Sequence, residues 1–172
     1  MRGKTHAVTG ALVGIVIAKH TGIDPTIAVF FTAIGAYAPD IDHPESTVGR
    51  RLKVFSTLIA KTCGHRGLMH SILGTALFSI SLTLLIGIIG SFIGYDFFNT
   101  IQNALSIIYY ITAGYLTHLA GDMLTKARIP LFYPSKKLIG LGFIKSGGFF
   151  ENIIFVVAAL TFFYQLYLYF SF

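Results

Sequence analysis

Long apolar runs separated by short polar segments dominate the pattern of the chain. Three of these runs extend from Ile72 to Tyr95, from Ile101 to Gly121 and from Ile153 to Phe172. Each is close to the length of about 20 residues that an α-helix needs to cross the hydrocarbon core of a bilayer. The pattern therefore predicts three transmembrane helices.

Two shorter apolar runs precede these three, from Ala7 to Gly22 and from Pro25 to Ala38. The residues Gly22-Ile23-Asp24-Pro25 between them are typical of a turn, so the two runs predict a helical hairpin. Each run is short for a crossing, which leaves a spanning hairpin and a partly inserted hairpin as alternatives. We favour the spanning hairpin, in which Lys19 extends its ammonium group to the membrane surface.

The basic residues fall on one side of this predicted arrangement. All Lys and Arg residues except Lys19 lie before the first run, between the second and third, or between the fourth and fifth. The positive-inside rule then places the N-terminus and both long loops in the cytoplasm, with the C-terminus outside. The predicted fold class is all-α: a polytopic membrane helical bundle of about five transmembrane helices, forming a single membrane-embedded domain over residues 1–172.

The composition agrees with a membrane protein. Hydrophobic residues make up 54% of the chain and charged residues 12%, against roughly 25% charged residues in a typical soluble domain. This excludes a disordered chain and argues against a soluble globular protein. The net charge of +6 does not by itself indicate nucleic acid, because membrane proteins collect Lys and Arg in cytoplasmic loops.

Acidic residues and histidines gather at the predicted cytoplasmic ends of the helices, whereas His20, Asp24 and Asp96 lie in the short outer turns. Buried ionisable groups in a membrane protein are costly unless they are paired or bind a metal. The gathering therefore indicates a metal or ion site. Its nine members are His6, Asp40, Asp42, His43, His65, His70, His118, Asp122 and Glu151.

Two spacings favour metal binding within this set. His118 and Asp122 are four residues apart on a predicted helix, so both project from one face about one turn apart. A hydrogen-bonded pair is the alternative. The segment Asp40-Ile41-Asp42-His43 places three potential ligands between two prolines, which favour a fixed extended turn. Here the alternative is that one of the two aspartates caps the following segment.

The segment His65-Arg66-Gly67-Leu68-Met69-His70 combines two imidazoles with a guanidinium group. Arginine offers a planar fork suited to phosphate, and neutral imidazole suits zinc and other transition metals. This combination predicts a metal-assisted phosphoester site. A basic patch for anionic lipid headgroups is the alternative explanation for Arg50, Arg51 and Lys53.

Three segments occur together and in order: Pro39-Asp40-Ile41-Asp42-His43-Pro44, His65-Arg66-Gly67-Leu68-Met69-His70-Ser71 and His118-Leu119-Ala120-Gly121-Asp122-Met123-Leu124-Thr125. They closely resemble the YdjM-like family, described as bacterial inner-membrane, metal-dependent hydrolases, and the resemblance runs from about His6 to Glu151. Met69 is a departure, because the family commonly has Thr there. The resemblance implies a membrane-embedded metal hydrolase with ligands at His6, Asp40, Asp42, His43, His65, His70, His118 and Asp122, and Glu151 as a further candidate.

The resulting hypothesis is hydrolysis of a phosphoester in a lipid or lipid-linked substrate at the cytoplasmic face of the bacterial inner membrane. One to three divalent ions would activate water, with zinc expected and manganese or magnesium as alternatives. Arg66 would bind the phosphoryl oxygens, and Glu151 or a non-ligand aspartate such as Asp42 would act as general base. The expected partners are membrane lipid and a small-molecule or lipid phosphoester. No nucleic-acid partner is expected, and a homo-oligomer is compatible with the sequence.

A non-enzymatic metal-binding membrane protein is the alternative, either a transporter or channel subunit or a structural metal site. An ion pathway needs polar residues through the bilayer midplane, whereas the polar residues here are predicted at one face. A structural site usually needs four ligands, and more are present.

Overall fold

The computed structural model describes residues 1–64 and 66–171, with the backbone alone described for residues 97–103 and 106. Two residues named in the predictions above lie outside the described residues. They are His65, a predicted ligand, and Phe172, the predicted end of the last transmembrane run.

Six α-helices account for most of the described chain, and two short 3₁₀ turns, Ala38–Asp42 and Leu68–His70, carry several of the predicted site residues. Within residues 1–64 and 66–171, β-structure is limited to two isolated bridges, which pair Thr125 with Ile144 and Ile129 with Ile139. The all-α prediction is therefore confirmed. The helices are α1 (Gly3–Thr21), α2 (Pro25–Tyr37), α3 (Lys53–Cys63), α4 (Ile72–Phe92), α5 (Phe97–Leu124) and α6 (Phe149–Ser171).

Two helices in the described part of the chain are long and apolar enough to cross a membrane, α4 with 21 residues and α6 with 23. The other predicted runs also form helices, but length and composition support two of the five predicted crossings. Helix α2 has 13 residues, which gives a length of about 20 Å against a hydrocarbon core of about 30 Å. It crosses the core completely only if the chain around it contributes to the span.

Helix α2 packs between α1 and α5, with parts of the backbones in close contact. A Cβ atom at Gly35 would lie 2.0 Å from the carbonyl oxygen of Ile111, and one at Gly114 would lie 1.9 Å from that of Thr32. These glycines let α2 and α5 approach more closely than any side chain would allow. The predicted hairpin is thereby fixed against α5, which brings the start of α1 near the end of α5.

The segment between α5 and α6 folds back over the last turn of α5. The backbone N–H of Leu141 donates to the carbonyl of Met123, and Ile129 and Ile139 exchange two backbone hydrogen bonds. Ile129 is fully buried in a core cluster with Tyr115. This packing holds in place the end of α5 that carries two of the predicted ligands.

Helix α3 differs from the predicted architecture, in which residues 53–63 belong to a cytoplasmic loop. The helix has 11 residues and is followed by Gly64, whose φ of 74° is disfavoured for other residues. Its apolar residues come in short groups and do not form a long apolar run. A short helix therefore lies where a loop was expected.

Candidate metal centre

Five of the predicted ligands converge from four separate parts of the chain. His6 comes from the second turn of α1, His118 and Asp122 from the end of α5, and Asp40 and His70 from the two 3₁₀ turns. Among them, only Asp40 is not buried: its side chain is 18% exposed, whereas each of the other four residues is at most 1% exposed. The predicted convergence is therefore present for these five residues.

Asp122 lies at the centre of this cluster. Its Oδ1 is 3.2 Å from His6 Nε2, and its Oδ2 is 3.5 Å from His70 Nε2 and 3.7 Å from His118 Nε2. The α-ammonium group of Met1 also contacts Asp122 Oδ1. Ligand atoms around a tetrahedral zinc ion are about 3.3 Å apart, given zinc–ligand distances of about 2.0 Å. The cluster thus has the donor types and the separations of a metal site.

The protonation of His118 follows from its contact with a backbone carbonyl. Its Nδ1 is 2.7 Å from the carbonyl oxygen of Ala36, and because a carbonyl can only accept, Nδ1 carries the proton. The buried Nε2 then has a lone pair and no hydrogen-bond donor among the described residues. This lone pair lies near the carboxylates of Asp40 and Asp122. A buried lone pair facing two carboxylates is unfavourable unless a cation lies between the imidazole and the carboxylates.

The contacts of His70 repeat this arrangement with a carboxylate in place of the carbonyl. Its Nδ1 is 3.1 Å from Oδ2 of Asp42, which is fully buried. Because an ionised carboxylate only accepts, Nδ1 donates and Nε2 is directed to Asp122. A carboxylate behind a ligating histidine is a recurrent feature of metal sites. Asp42, predicted as a ligand or a base, therefore lies behind His70.

Asp40 lies at the boundary between the cluster and solvent. Its Oδ1 is 3.8 Å from His118 Nε2, and the residue also lines a cavity of about 460 Å³. Burial raises the pKa of the Asp40 carboxyl, while the imidazoles of His6 and His70 oppose that rise. A cation in the cluster would hold Asp40 in its ionised form.

Arg66 reaches the cluster from the same side. Its Nη2 is 3.6 Å from Asp122 Oδ2, and its side chain is 25% exposed. Its backbone N–H donates to Asp42 across 3.0 Å. The backbone of Arg66 has a φ of 57°, a left-handed conformation that costs a non-glycine residue about 1–2 kcal/mol. The loop therefore holds this guanidinium group beside the buried carboxylate despite a cost in backbone energy.

Basic residues outnumber the acidic Asp40 and Glu45 in the lining of the cavity beside Asp40. Its lining includes the basic residues Arg2, Lys4, Arg50 and Arg66. Fixed cations around a concave site favour an anionic ligand, and guanidinium groups match the oxygens of a phosphate. The cavity can therefore hold a phosphate-like group at the edge of the cluster.

His43 lines the same cavity. The two groups of closely spaced ligand atoms found among the described residues are His6 with His118 and Asp122, and Asp40 with His70 and His118. His43 belongs to neither group. The structure therefore places this predicted ligand in the cavity rather than between the clustered imidazoles.

Glu151, predicted as a ligand or a general base, lies fully buried where α6 meets α1. It accepts hydrogen bonds from the backbone N–H of Arg2 at 2.6 Å, from the Thr5 hydroxyl at 2.8 Å and from the Gly147 N–H at 2.5 Å. These bonds tie the start of α6 to the start of α1. The structure therefore places Glu151 between these two helices and not in either group of closely spaced ligand atoms.

Comparison of the sequence with known proteins identifies the family of this chain. All of residues 1–172 match the family described as YdjM inner membrane protein. The chain is 36% identical over 129 residues to "Inner membrane protein YdjM" of Escherichia coli (strain K12) and of Shigella flexneri, covering 70% of this chain and 60% of each relative. It therefore matches less than two thirds of the length of these two relatives.

A third relative aligns over nearly the full length of both chains. It is "Uncharacterized protein YvsG" of Bacillus subtilis (strain 168), 30% identical over 172 residues and 97% covered in each chain. No solved structure matches. These names give a membrane location for two relatives and no reaction. The match over the whole chain confirms the resemblance carried by the three motifs, and the protein belongs to the YdjM inner membrane protein family.

Proposed function

We propose that this protein is a metal-dependent hydrolase of a phosphoester in a lipid or lipid-linked substrate. The observation that carries the proposal is the buried cluster, in which Nε2 atoms of His70 and His118 are directed to the Asp122 carboxylate. Backbone and carboxylate acceptors hold the protons of both imidazoles on Nδ1. The lone pair that remains on the buried Nε2 of His118 is stabilised by a cation, and a divalent metal ion fits the donor set.

The residues that would hold one to three such ions belong to the cluster around Asp122. Imidazole and carboxylate together suit zinc or manganese better than calcium. When bound, the ion would supply Lewis-acid activation of water and of a phosphoryl oxygen. A closed structural zinc site uses four ligands, and the larger number here favours a site with catalytic function. The proposed ligands are His6, Asp40, His70, His118 and Asp122.

Arg66 is the proposed phosphate-binding residue. Its guanidinium group lies between the buried Asp122 and the cationic cavity, so it can contact a phosphoryl group that enters from the cavity. There it would stabilise negative charge that develops in the transition state. Lys4 and Arg50, which line the same cavity, would attract the anionic substrate.

The proposed proton acceptor is Oδ2 of Asp40, which would stay outside the metal coordination if Oδ1, 3.8 Å from His118 Nε2, binds the ion. The Asp40 carboxylate is the more exposed of the clustered carboxylates and faces the cavity from which water enters. Asp42 and Glu151, the bases considered from the sequence, are fully buried and hold hydrogen bonds to neighbouring elements. Proximity to the incoming water therefore favours Asp40.

An apolar groove beside the cluster supports a lipid substrate. The groove has a volume of about 260 Å³ and its lining includes Ile41, Met69, Leu77 and Phe78. Ile41 and Met69 directly precede Asp42 and His70 in the chain, and Leu77 is 46% exposed on the candidate span α4. A substrate with an anionic head and an acyl chain would find a matching surface on each side of the site.

The proposed location is the bacterial cytoplasmic membrane, with several crossings and with the N-terminus and the site on the cytoplasmic face. Both candidate spans begin close to the site, since α4 starts at Ile72 directly after the turn Leu68–His70, and α6 contains Glu151 in its first turn. The lysines and arginines of the adjoining loops favour the cytoplasmic side.

The test is hydrolysis by the purified full chain in lipid nanodiscs, assayed over a panel of phospholipids and lipid-linked phosphates. We expect metal-dependent cleavage of at least one substrate, abolished in His118→Ala and retained in His20→Ala. His20 is the matched control because it is an exposed histidine at the other end of α1. A metal-loaded protein that cleaves nothing in the panel, and that unfolds when a ligand is removed, would instead be a structural metal protein. Metal-dependent transport of the ion into sealed vesicles would support the transporter alternative.

A further inference from the structure

Helix α3 presents its apolar residues outward. Val54, Phe55 and Leu58 are 80%, 65% and 60% exposed. Residues spaced by three and four positions lie on one face of an α-helix, so these three side chains form one stripe. The stripe is not covered by other described residues.

The opposite side of α3 packs inward with a polar residue at its centre. Ser56 is fully buried, next to Gly49, where an added Cβ atom would lie 2.9 Å from Ser56 Oγ. The helix also packs on the 3₁₀ turn Ala38–Asp42. An amphipathic helix at the surface of a soluble domain directs its apolar stripe to the core and its polar residues to water. In α3 three large apolar side chains face outward instead, so the outward face is suited to an apolar environment.

The segment around α3 is basic. Arg50, Arg51, Lys53 and Lys61 are all exposed, and residues 50–64 contain no acidic residue. Lysines and arginines that flank an exposed apolar face are typical of helices that lie in the interfacial region of an anionic membrane. The charge of this segment is thus complementary to anionic lipid headgroups.

The position of α3 beside a candidate span agrees with such a partner. Ile59 of α3 and Leu77 of α4 line the same groove, and residues 64–71 alone separate the two helices. Ile72 and Leu73, in the first turn of α4, are 47% and 42% exposed. Helix α3 therefore lies next to the first turn of α4, where the exposed apolar surface of α4 begins.

We propose that α3 is an interfacial membrane helix whose partner is an anionic lipid surface. Val54, Phe55 and Leu58 lie at the boundary between headgroups and acyl chains, and the flanking basic residues contact the phosphates. Because α3 packs on the turn that carries Asp40, this attachment also holds the candidate metal centre at the level of the membrane surface. The inference does not depend on the proposed hydrolase activity.

The experiment uses a single tryptophan as the reporter, because the chain contains none. Phe55→Trp is introduced into the full chain, which is reconstituted in nanodiscs of equal parts phosphatidylcholine and phosphatidylglycerol. Thr57→Trp is the matched control, since Thr57 is uncharged and lies two positions from Phe55, on the far side of the same helix. We expect a blue-shifted emission for Phe55→Trp and at least about twofold stronger quenching by brominated lipid than for Thr57→Trp, because an interfacial helix buries its apolar face about 5–10 Å deep.

Two results would overturn the proposal. Emission typical of water, with strong quenching by iodide, would show that the face is solvated. Blue-shifted emission without quenching by brominated lipid would show that a second copy of the chain covers it. Replacement of phosphatidylglycerol by phosphatidylcholine should weaken the quenching by brominated lipid, and an unchanged value would contradict the part played by the basic residues. Leu58→Trp, on the same face, repeats the measurement if Phe55→Trp fails to fold.

Discussion

His70 Nδ1 lies 3.1 Å from Oδ2 of the buried carboxylate of Asp42, and its Nε2 lies 3.5 Å from Oδ2 of Asp122 on the other side of the ring. The orientation of a candidate ligand is thereby fixed by a residue that lies behind it. A carboxylate in this position raises the basicity of the imidazole and restrains its rotation.

The first prediction concerns this pair. Asp42→Asn keeps the shape of the side chain but removes its charge, so we expect metal affinity to fall by about 10–100-fold, the usual effect of losing such a partner. Competition with a chelator of known affinity measures the change. An unchanged affinity would show that Asp42 does not support His70. A complete loss of stoichiometric metal would instead favour Asp42 as a direct ligand, as the sequence alone suggested.

The second prediction separates the two roles of Arg66. Arg66→Gly removes the guanidinium group and also relieves the left-handed backbone at φ 57°. We expect the variant to bind metal and to be more stable than the wild type by up to about 1–2 kcal/mol, since glycine has no penalty in this conformation. Its rate of hydrolysis should nevertheless fall by about 10²-fold or more, as expected for the loss of a charge-stabilising donor.

Arg66→Lys is the companion variant for the activity measurement. It keeps a positive charge but loses the planar fork, so its activity should remain well below that of the wild type. Thermal unfolding and hydrolysis are measured on the same preparations. Full activity in Arg66→Gly would contradict the assignment of Arg66 as the phosphate-binding residue.

The features of the structure that depend on local sequence are predicted from the sequence alone. The long apolar runs and the turn at Gly22 predict the hairpin and the helices α4, α5 and α6, because these features depend on local composition and periodicity. The convergence of His6, Asp40, His70, His118 and Asp122 follows from their positions at one end of the predicted helices.

The remaining features depend on contacts between distant residues. Residue type does not reveal that Asp42 lies behind His70 or that Glu151 joins α6 to α1. The carbonyl of Ala36 fixes the tautomer of His118. Because it is a backbone group, which every residue has, the residue type at position 36 does not indicate this contact. Helix α3 was missed because its apolar residues face outward in short groups and do not form a long run.

The third prediction distinguishes a positioning role of Glu151 from a catalytic one. Glu151→Gln weakens three hydrogen bonds from α1 and from the turn before α6. We expect the protein to lose about 1.5–3 kcal/mol of stability, the range for hydrogen bonds to charged groups. Metal content and the activity of the folded fraction should change little. A variant with the thermal stability of the wild type and no hydrolysis would make Glu151 a catalytic residue.

The fourth prediction concerns the contact between α2 and α5. Gly114→Ala places a methyl group 1.9 Å from the carbonyl oxygen of Thr32. The helices must separate, at a cost of about 1–3 kcal/mol or more, and because α2 supplies the carbonyl of Ala36, metal affinity should fall as well. Gly3→Ala is the control, because its nearest neighbour is the movable ring of Tyr37 at 3.1 Å. Equal thermal stability and metal affinity in the two variants would contradict the close contact.

The central claim is that the buried His and Asp cluster binds a divalent metal ion. Its most direct test is the metal content of the purified full chain, measured by elemental mass spectrometry in the wild type, in a His118→Ala, Asp122→Ala double variant and in His20→Ala. The account predicts near-integral zinc or manganese in the wild type and in His20→Ala, with little in a double variant that remains folded. Absence of metal from all three proteins, after purification without chelators and after reloading with zinc or manganese, would contradict it.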